Sequence, residues 1–163
     1  MPAKLPKNDK TPISWTTKAE EAFIQCKNEL SSVVLLAHPS ENASLRLTTD
    51  ASDTVMRAVL EQEVRCNWRP LGFFSKKFTS TQRRYCMYDR ELLAIYEAIK
   101  FLRYMVEARI FTVRTDHKPL VYAFRQNSGK SSQRQLRQLE FISQFTTEIE
   151  CIPGENNTVS AQQ

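Results

Sequence analysis

Seven apolar side chains recur at alternating steps of three and four residues between positions 85 and 106 of this 163-residue chain. Steps of this size place side chains on one face of an α-helix. The pattern therefore predicts one long amphipathic helix, capped near residues 79–81. The residues of this apolar stripe are Tyr85, Tyr88, Leu92, Ile95, Ile99, Leu102 and Val106.

The segments around this helix indicate the fold class. Residues 45–50, 55–64 and 68–78 have the composition of strands, and a turn at residues 65–67 joins the last two into an antiparallel meander. After the helix come a strand at 111–116, a second long helix marked by Leu136, Leu139, Ile142 and Phe145, and a strand at 147–152. Three strands followed by strand–helix alternation predict an α/β fold with a five-stranded mixed sheet.

Charge and composition separate the N-terminal part from the rest. Residues 1–14 are polar with three prolines and read as a linker, and Thr17 and Glu20 form a capping-box pattern that opens a helix. Residues 1–44 carry five lysines and five acids, so residues 45–163 carry the whole net charge of +5. We therefore expect a linker and helix over 1–44 and the main domain over 45–163. The basic excess favours a polyanionic partner, although a solvated surface explains it equally well.

Several classes of protein are excluded or disfavoured by composition. The chain has no run of about 18 apolar residues, which predicts no membrane span. Its first residues lack an apolar segment, so we expect no secretory signal. The four cysteines are far apart and form no C-x-x-C pair. This predicts reduced thiols, an intracellular protein (cytoplasmic or nuclear) and no zinc site.

Two of the predicted strands end in the same pattern, apolar-x-apolar-x-Thr-Asp. One runs from Leu45 to Asp50 and the other from Phe111 to Asp116. In each strand the apolar side chains point to one face and the aspartate points to the other. If the strands are parallel neighbours, both aspartates emerge side by side at the carboxyl ends, where open α/β sheets bind ligands.

Glu91 is a third acidic candidate, on the border of the apolar stripe of the long helix, with the small residues Ala94 and Ala98 beside it. A carboxylate facing a sheet needs neutralisation, and oxygen-only ligands suit Mg²⁺ or Mn²⁺. Two such ions about 3.5–4 Å apart activate a water and stabilise the leaving oxygen in phosphodiester cleavage. A structural alternative stays open: the aspartates are ordinary turn residues, and Glu91 pairs with Arg84 or Arg90 on the surface.

Five segments resemble the ribonuclease H domain of gypsy-type retrotransposon polyproteins: LTTDASD, PLGFFSKKF, YDRELLAIYEAIK, FTVRTDHKPL and QLEFISQF. The resemblance runs from about Leu45 to the C-terminus, and residues 13–39 resemble the stretch that joins the reverse transcriptase to that domain. It implies a five-stranded mixed sheet, cleavage of the RNA strand of RNA–DNA hybrids, and two Mg²⁺ held by four carboxylates. Asp50, Glu91 and Asp116 match three of those four carboxylates.

Two departures from the family pattern stand out. The family usually ends in N-x-V-A-D-A-L-S-R, and Ala161 stands where the aspartate of that pattern, the fourth ligand, should be. We expect the C-terminal helix of the family to be truncated or absent as well. Arg57 replaces a glycine that the family usually has before A-V-L, either as a packing change or as an added phosphate contact. We therefore expect impaired cleavage, with one bound ion or none and some residual activity in Mn²⁺.

Several basic residues are candidates to bind the two phosphate backbones of a hybrid. Each of them could equally be a solvated surface residue. The expected partners are an RNA–DNA hybrid and the reverse transcriptase core of the parent polyprotein. A second hypothesis is a non-catalytic descendant that kept the fold as a nucleic-acid-binding or protein-interaction module. The candidate nucleic-acid contacts are Lys76, Lys77, Arg83, Arg84, Arg125, Lys130, Arg134 and Arg137.

Overall fold

The computed structural model describes residues 16–33, 38–125, 131–145 and 148–153. The chain divides into two compact units, Met1–Leu35 and Leu36–Gln163. Helix α1 (Thr17–Val33) belongs to the first unit. Thr16 Oγ1 accepts the backbone N–H of Ala19 at 3.3 Å. The prediction that Thr17 caps this helix is wrong, because the cap lies one residue earlier.

The second unit contains the expected five-stranded mixed sheet, with the strand order β3-β2-β1-β4-β5. Strand β1 pairs antiparallel with β2, and β2 pairs antiparallel with β3, which confirms the meander. Strand β4 is parallel to both β1 and β5. The strands are β1 (Leu45–Ala51), β2 (Val55–Val64), β3 (Asn67–Lys77), β4 (Phe111–Thr115) and β5 (Ile149–Cys151).

The turn between β2 and β3 contains two residues, Arg65 and Cys66. Both have positive φ angles, 52° and 62°. A two-residue hairpin turn favours this left-handed conformation because its twist matches the twist of the flanking strands. Neither residue is a glycine or an asparagine, which explains why the sequence indicated a longer turn there.

The long helix expected over residues 85–106 is divided into shorter helices. A 3₁₀ turn (Gln82–Arg84) precedes α2 (Met87–Phe101), and α3 (Arg103–Val106) follows it. The two α-helices are separated at Leu102, where φ is −93° and ψ is 12°. The apolar stripe continues across this single residue, since both Leu102 and Val106 are buried.

The core lies between α2 and one face of the sheet. Leu47, Leu60 and Val113 point to this face and are completely buried, as are Ile95 and Ile99 of the helix. We name the opposite face the outer face. By strand alternation it carries Thr48 and Asp50 of β1, Arg57 of β2 and Arg114 of β4.

Two further helices lie in the described part of the second unit. Helix α4 (Lys118–Arg125) has no counterpart among the predicted elements, and Pro119 is its second residue. Proline is tolerated in the first turn of a helix, where its missing N–H has no partner to lose. Helix α5 (Gln133–Ser143) packs against α2. No helix in the described ranges is long and apolar enough to cross a lipid bilayer.

Helix α5 begins with a complete capping box, which yields a test of local stability. Ser132 Oγ accepts the N–H of Gln135 at 3.3 Å, and Gln135 Oε1 accepts the N–H of Ser132 at 2.7 Å. We expect Ser132→Ala to lower the free energy of unfolding by about 1 kcal/mol. Urea denaturation measures this, with Ser143→Ala near the end of the same helix as control. Equal losses in the two variants would contradict the role of the cap.

Candidate active site

The pairing of β1 with β4 brings the two strand-end aspartates together. The parallel register aligns Leu45 with Phe111 and Thr48 with Arg114. The same offset, continued by two residues, places Asp50 beside Asp116. The side chain of Asp50 is buried, with a relative exposure of 8%, and that of Asp116 is half-buried. The sequence prediction that these strands are parallel neighbours is confirmed.

Glu91 of α2 lies next to this pair and is almost inaccessible to solvent, with 1% exposure. Its Oε1 atom accepts the backbone N–H of Ala51, the residue after Asp50, at 3.1 Å. Its Oε2 atom is buried and has no hydrogen-bond partner. The start of α2 therefore places a carboxylate against the carboxyl end of β1. One of its oxygens is hydrogen-bonded, and the other has no hydrogen-bond partner.

The pKa of Glu91 is raised to about 8. Burial is the main cause, since it penalises the ionised form, and the negative charges of Asp116 and Asp50 raise the pKa further. The hydrogen bond from Ala51 and the charge of Arg90 act in the opposite direction. The dependence on both aspartates shows that the three acidic groups share one electrostatic environment.

The surface alternative for Glu91 is wrong. Arg90 points elsewhere: its Nη1 atom lies 2.6 Å from Asp53 Oδ1 and donates to the carbonyl of Ser52 at 3.2 Å. Burying a carboxylate without a partner costs folding free energy. A purely structural role therefore does not explain why Glu91 lies here.

These groups fit a hard divalent cation by their chemistry. Asp50, Glu91 and Asp116 offer only oxygen donors, and Glu91 Oε2 is an acceptor without a donor. Within the described ranges, no three acidic, histidine or cysteine side chains converge closely enough to enclose an ion as they stand. Ala161, which the sequence resemblance aligns with the fourth carboxylate of the family, lies outside the described residues.

Two of the basic candidates are engaged within the protein. Lys76 forms an ion pair with Glu97 of α2 at 2.6 Å. Arg134 pairs with Asp89 at 2.7 Å, and its guanidinium lies 4.0 Å from the ring centre of Tyr85. The structure thus uses these cations to connect elements of the second unit.

Six basic candidates remain, and four of them are exposed on the surface. The side chain of Arg125, at the end of α4, and Lys130 lie outside the described residues. The remaining four are exposed and make no side-chain ion pair within the part of the chain that the structure describes; they are Lys77, Arg83, Arg84 and Arg137.

His117 directly follows Asp116, and its backbone N–H donates to Thr115 Oγ1 at 3.2 Å. Its Nδ1 atom is buried without a hydrogen-bond partner, and its ring meets that of Tyr88 edge-on, with centroids 6.0 Å apart. Burial lowers the pKa of His117, although Asp116 opposes this effect. The only sequence signal for its position was its place next to Asp116.

A cavity of about 430 Å³ lies far from these acids, at the amino ends of β1 and β4. Glu41, Arg109 and Glu148 are among the residues that line it. The guanidinium of Arg109 donates to the carbonyls of Ser40, Glu41 and Ala43, so it fixes the loop before β1. This arrangement is structural, and the chemistry of the site belongs to the opposite end of the strands.

Comparison with known proteins agrees with this architecture. The chain is 33% identical over 149 residues to the retrovirus-related Pol polyprotein from transposon 412 of Drosophila melanogaster, covering 91% of this chain but only 12% of the polyprotein.

Two solved structures share the fold at 11% sequence identity. The foamy viral protease–reverse transcriptase dRH in complex with double-stranded DNA superposes with a TM-score of 0.64, covering 88% of this chain and 27% of that one. LC11-RNase H1 in complex with an RNA/DNA hybrid gives 0.52, covering 72% and 89%. These identities support the fold alone.

Residues 15–113 match the family model described as the RNase H-like domain found in reverse transcriptase. The match includes β1, β2, β3 and α2, and with them Asp50 and Glu91. It also includes most of the N-terminal segment that the sequence assigned to the connection. The chain therefore belongs to the family of RNase H-like domains of retroelement reverse transcriptases.

Proposed function

We propose that this domain hydrolyses the RNA strand of RNA–DNA hybrids with the help of divalent metal ions. The observation that carries the proposal is the buried, half-satisfied carboxylate of Glu91 beside Asp50 and Asp116. A fold of this family with such a group at the carboxyl ends of β1 and β4 supports a nuclease. The relative in transposon 412 is a polyprotein, and the RNase H1 neighbour was solved with an RNA/DNA hybrid.

Asp50, Glu91 and Asp116 would hold Mg²⁺ or Mn²⁺. When bound, such ions lower the pKa of a water and stabilise charge on the leaving oxygen. The chain's own contribution is positioning: Ala51 fixes one oxygen of Glu91 at 3.1 Å, and the β1–β4 pairing sets the spacing of the two aspartates. Burial around Glu91 excludes water and strengthens every charge interaction at the site.

We further propose that cleavage is impaired. The family pattern has a fourth carboxylate, and Ala161 stands at its position. A methyl group cannot coordinate a cation, so one metal position loses a ligand. Binding of a single ion through three carboxylates would leave the attacking water and the leaving oxygen unequally stabilised. Mn²⁺ binds oxygen and nitrogen ligands and suits the same donor set, so we expect it to support more activity than Mg²⁺ does.

The second candidate function is a non-catalytic module that binds nucleic acid or protein. One observation favours it: no three potential ligands in the described ranges converge closely enough to enclose an ion. Retention of Asp50, Glu91 and Asp116 together favours the nuclease, since a binding module has no need for an unsatisfied buried carboxylate.

A cleavage assay decides between these functions. An RNA–DNA hybrid with the RNA strand labelled is incubated with the full chain in Mg²⁺, in Mn²⁺ and in chelator. We expect slow cutting of the RNA strand, faster in Mn²⁺, and none in chelator. Single-stranded RNA and a hybrid labelled on the DNA strand serve as controls. Full activity in Mg²⁺ would contradict the impairment, and no cutting in either metal would favour the binding module.

A further inference from the structure

Two arginines lie on the outer face of the sheet, next to the candidate carboxylates. Arg57 of β2 is the direct antiparallel partner of Asp50. Arg114 of β4 is the parallel partner of Thr48, and it precedes Asp116 by two residues. Side chains paired across strands share a face, as do residues two apart along one strand. Both arginines therefore flank the Asp50–Asp116 pair.

Neither arginine forms an ion pair with another residue that the structure describes. Both side chains are half-buried. The Nε atom of Arg114 is buried and has no hydrogen-bond partner. A buried guanidinium N–H without an acceptor costs free energy, so the structure lacks an acceptor at this point.

Arg46 on the same face shows how this sheet satisfies an arginine that has a structural role. It forms an ion pair with Glu61 at 2.7 Å, and its guanidinium lies 4.0 Å from the ring centre of Trp68. Arg57 has an acid directly across from it and still makes no ion pair with Asp50. Within the described residues, Arg57 and Arg114 thus lack the ion-pair partner that Arg46 has.

We propose that Arg57 and Arg114 form an anion site that holds a phosphate of the nucleic-acid strand against the Asp50–Asp116 edge. This inference rests on the proposed function, because it names how the same site receives its substrate. Directly opposed strand residues have Cβ atoms about 4.5–5.5 Å apart, so the long arginine side chain spans the distance to a phosphate lying over the aspartates. The planar guanidinium also matches phosphate in a bidentate manner.

The negative charge of the two aspartates calls for nearby positive charge if a polyanion is to bind. A polyanion that approaches Asp50 and Asp116 meets like charges, and the two arginines place compensating positive charge on the same face. Lys77 extends this positive surface: it pairs with Val55 across β2, two residues from Arg57, and is exposed. A phosphate held by Arg57 would therefore lie between the positive charges of Lys77 on β3 and Arg114 on β4.

The test measures binding of a labelled RNA–DNA hybrid by fluorescence anisotropy in chelator, across a range of salt concentrations. We expect Arg57→Gln and Arg114→Gln each to weaken binding by about tenfold. Each should also reduce the slope of log K against log salt by about 0.7–0.9, the amount for one lost phosphate contact. Arg57→Lys keeps the charge and should retain the slope.

Arg69→Gln is the matched control. Arg69 is exposed on β3 and pairs with Gln62, which places it on the helix-facing side of the sheet. This variant should retain the slope and affinity of the unaltered chain. Urea denaturation of all variants confirms that each one folds, so that a loss of binding reflects the anion site.

The outcomes separate this inference from the proposed function. If the unaltered chain binds the hybrid and both glutamine variants behave like Arg69→Gln, the anion site is refuted and the proposed function stands. If the unaltered chain binds no hybrid, thermal shift with inorganic pyrophosphate decides. Stabilisation lost in Arg57→Gln and Arg114→Gln supports the anion site without the proposed substrate, whereas no stabilisation, or equal stabilisation in all variants, refutes it.

Discussion

Asp50→Asn is expected to abolish hybrid cleavage and stabilisation by Mg²⁺ together. Asp50 lies 8% exposed beside Asp116 and contributes to the raised pKa of Glu91, so it belongs to the same charge cluster. We expect cleavage to fall by about 100-fold or more, since partners that merely orient a metal ligand are already worth 10–100-fold. The measurement is the rate of RNA-strand cutting in Mn²⁺, where the unaltered chain should be most active.

Thermal denaturation gives the second readout for this variant. A cation that binds only the folded chain stabilises it by about 2.7 kcal/mol at 100 times its dissociation constant. We expect this gain for the unaltered chain and none for Asp50→Asn. In chelator, the variant should be at least as stable as the unaltered chain, because the repulsion between the charges of Asp50 and Asp116 is removed.

Asp53→Asn is the matched control for Asp50→Asn. Asp53 lies three residues away, its side chain is 90% exposed, and it pairs with Arg90. An exposed ion pair contributes about 0–1 kcal/mol, so this variant should keep both the cleavage rate and the response to Mg²⁺. Equal behaviour of the two variants would contradict the assignment of Asp50 to a metal site.

The sequence predicted the positions of the two aspartates because their placement depends on local rules. Strand alternation fixes the face of Asp50 and Asp116, and a helical connection allows β1 and β4 to be parallel neighbours. Glu91 was identified by its place on the border of the apolar stripe. Each of these inferences needs only the period of one element and the order of the elements.

Other features depend on contacts between elements and could not be predicted in this way. The hydrogen bond from Ala51 to Glu91 joins β1 to α2 across 40 residues of sequence. Likewise, the pairing of Lys76 with Glu97 and of Arg134 with Asp89 depends on how α2 lies against β3 and α5. A basic residue looks the same in sequence whether it faces solvent or a nearby acid.

Some features of the local structure were also not predicted from the sequence, for a related reason. The break at Leu102 leaves the apolar period intact, so no sequence pattern marks it. Helix α4 begins only three residues after the end of β4, and its proline occupies a tolerated position in the first turn. In the sequence, Arg57 differs from other arginines only as a departure from a family pattern. Its place opposite Asp50 required the register of β1 and β2.

Glu91→Gln is expected to stabilise the protein increasingly as the pH rises. The native pKa of Glu91 is about 8, above its ordinary value of 4.5. Below pH 4.5 the group is protonated in both states, and the variant and the unaltered chain should have similar stability. Between pH 4.5 and 8 the unfolded chain releases a proton that the native chain retains, so native stability falls as the pH rises.

Above pH 8 this penalty reaches its full size. A raised pKa costs about 1.4 kcal/mol per unit, which gives a difference of roughly 5 kcal/mol between the two proteins. Glutamine cannot ionise, its amide oxygen still accepts the N–H of Ala51, and its NH₂ group replaces the unpartnered Oε2 atom.

Urea denaturation in chelator at pH 5, 7 and 9 measures the difference. Glu97→Gln, on the same helix and at a surface ion pair with Lys76, is the control and should change stability by at most about 1 kcal/mol. If the free energies of unfolding of Glu91→Gln and the unaltered chain depend on pH in the same way, Glu91 ionises as readily in the native state as in the unfolded state. This result would contradict the interpretation of Glu91 as a destabilised carboxylate that a cation neutralises.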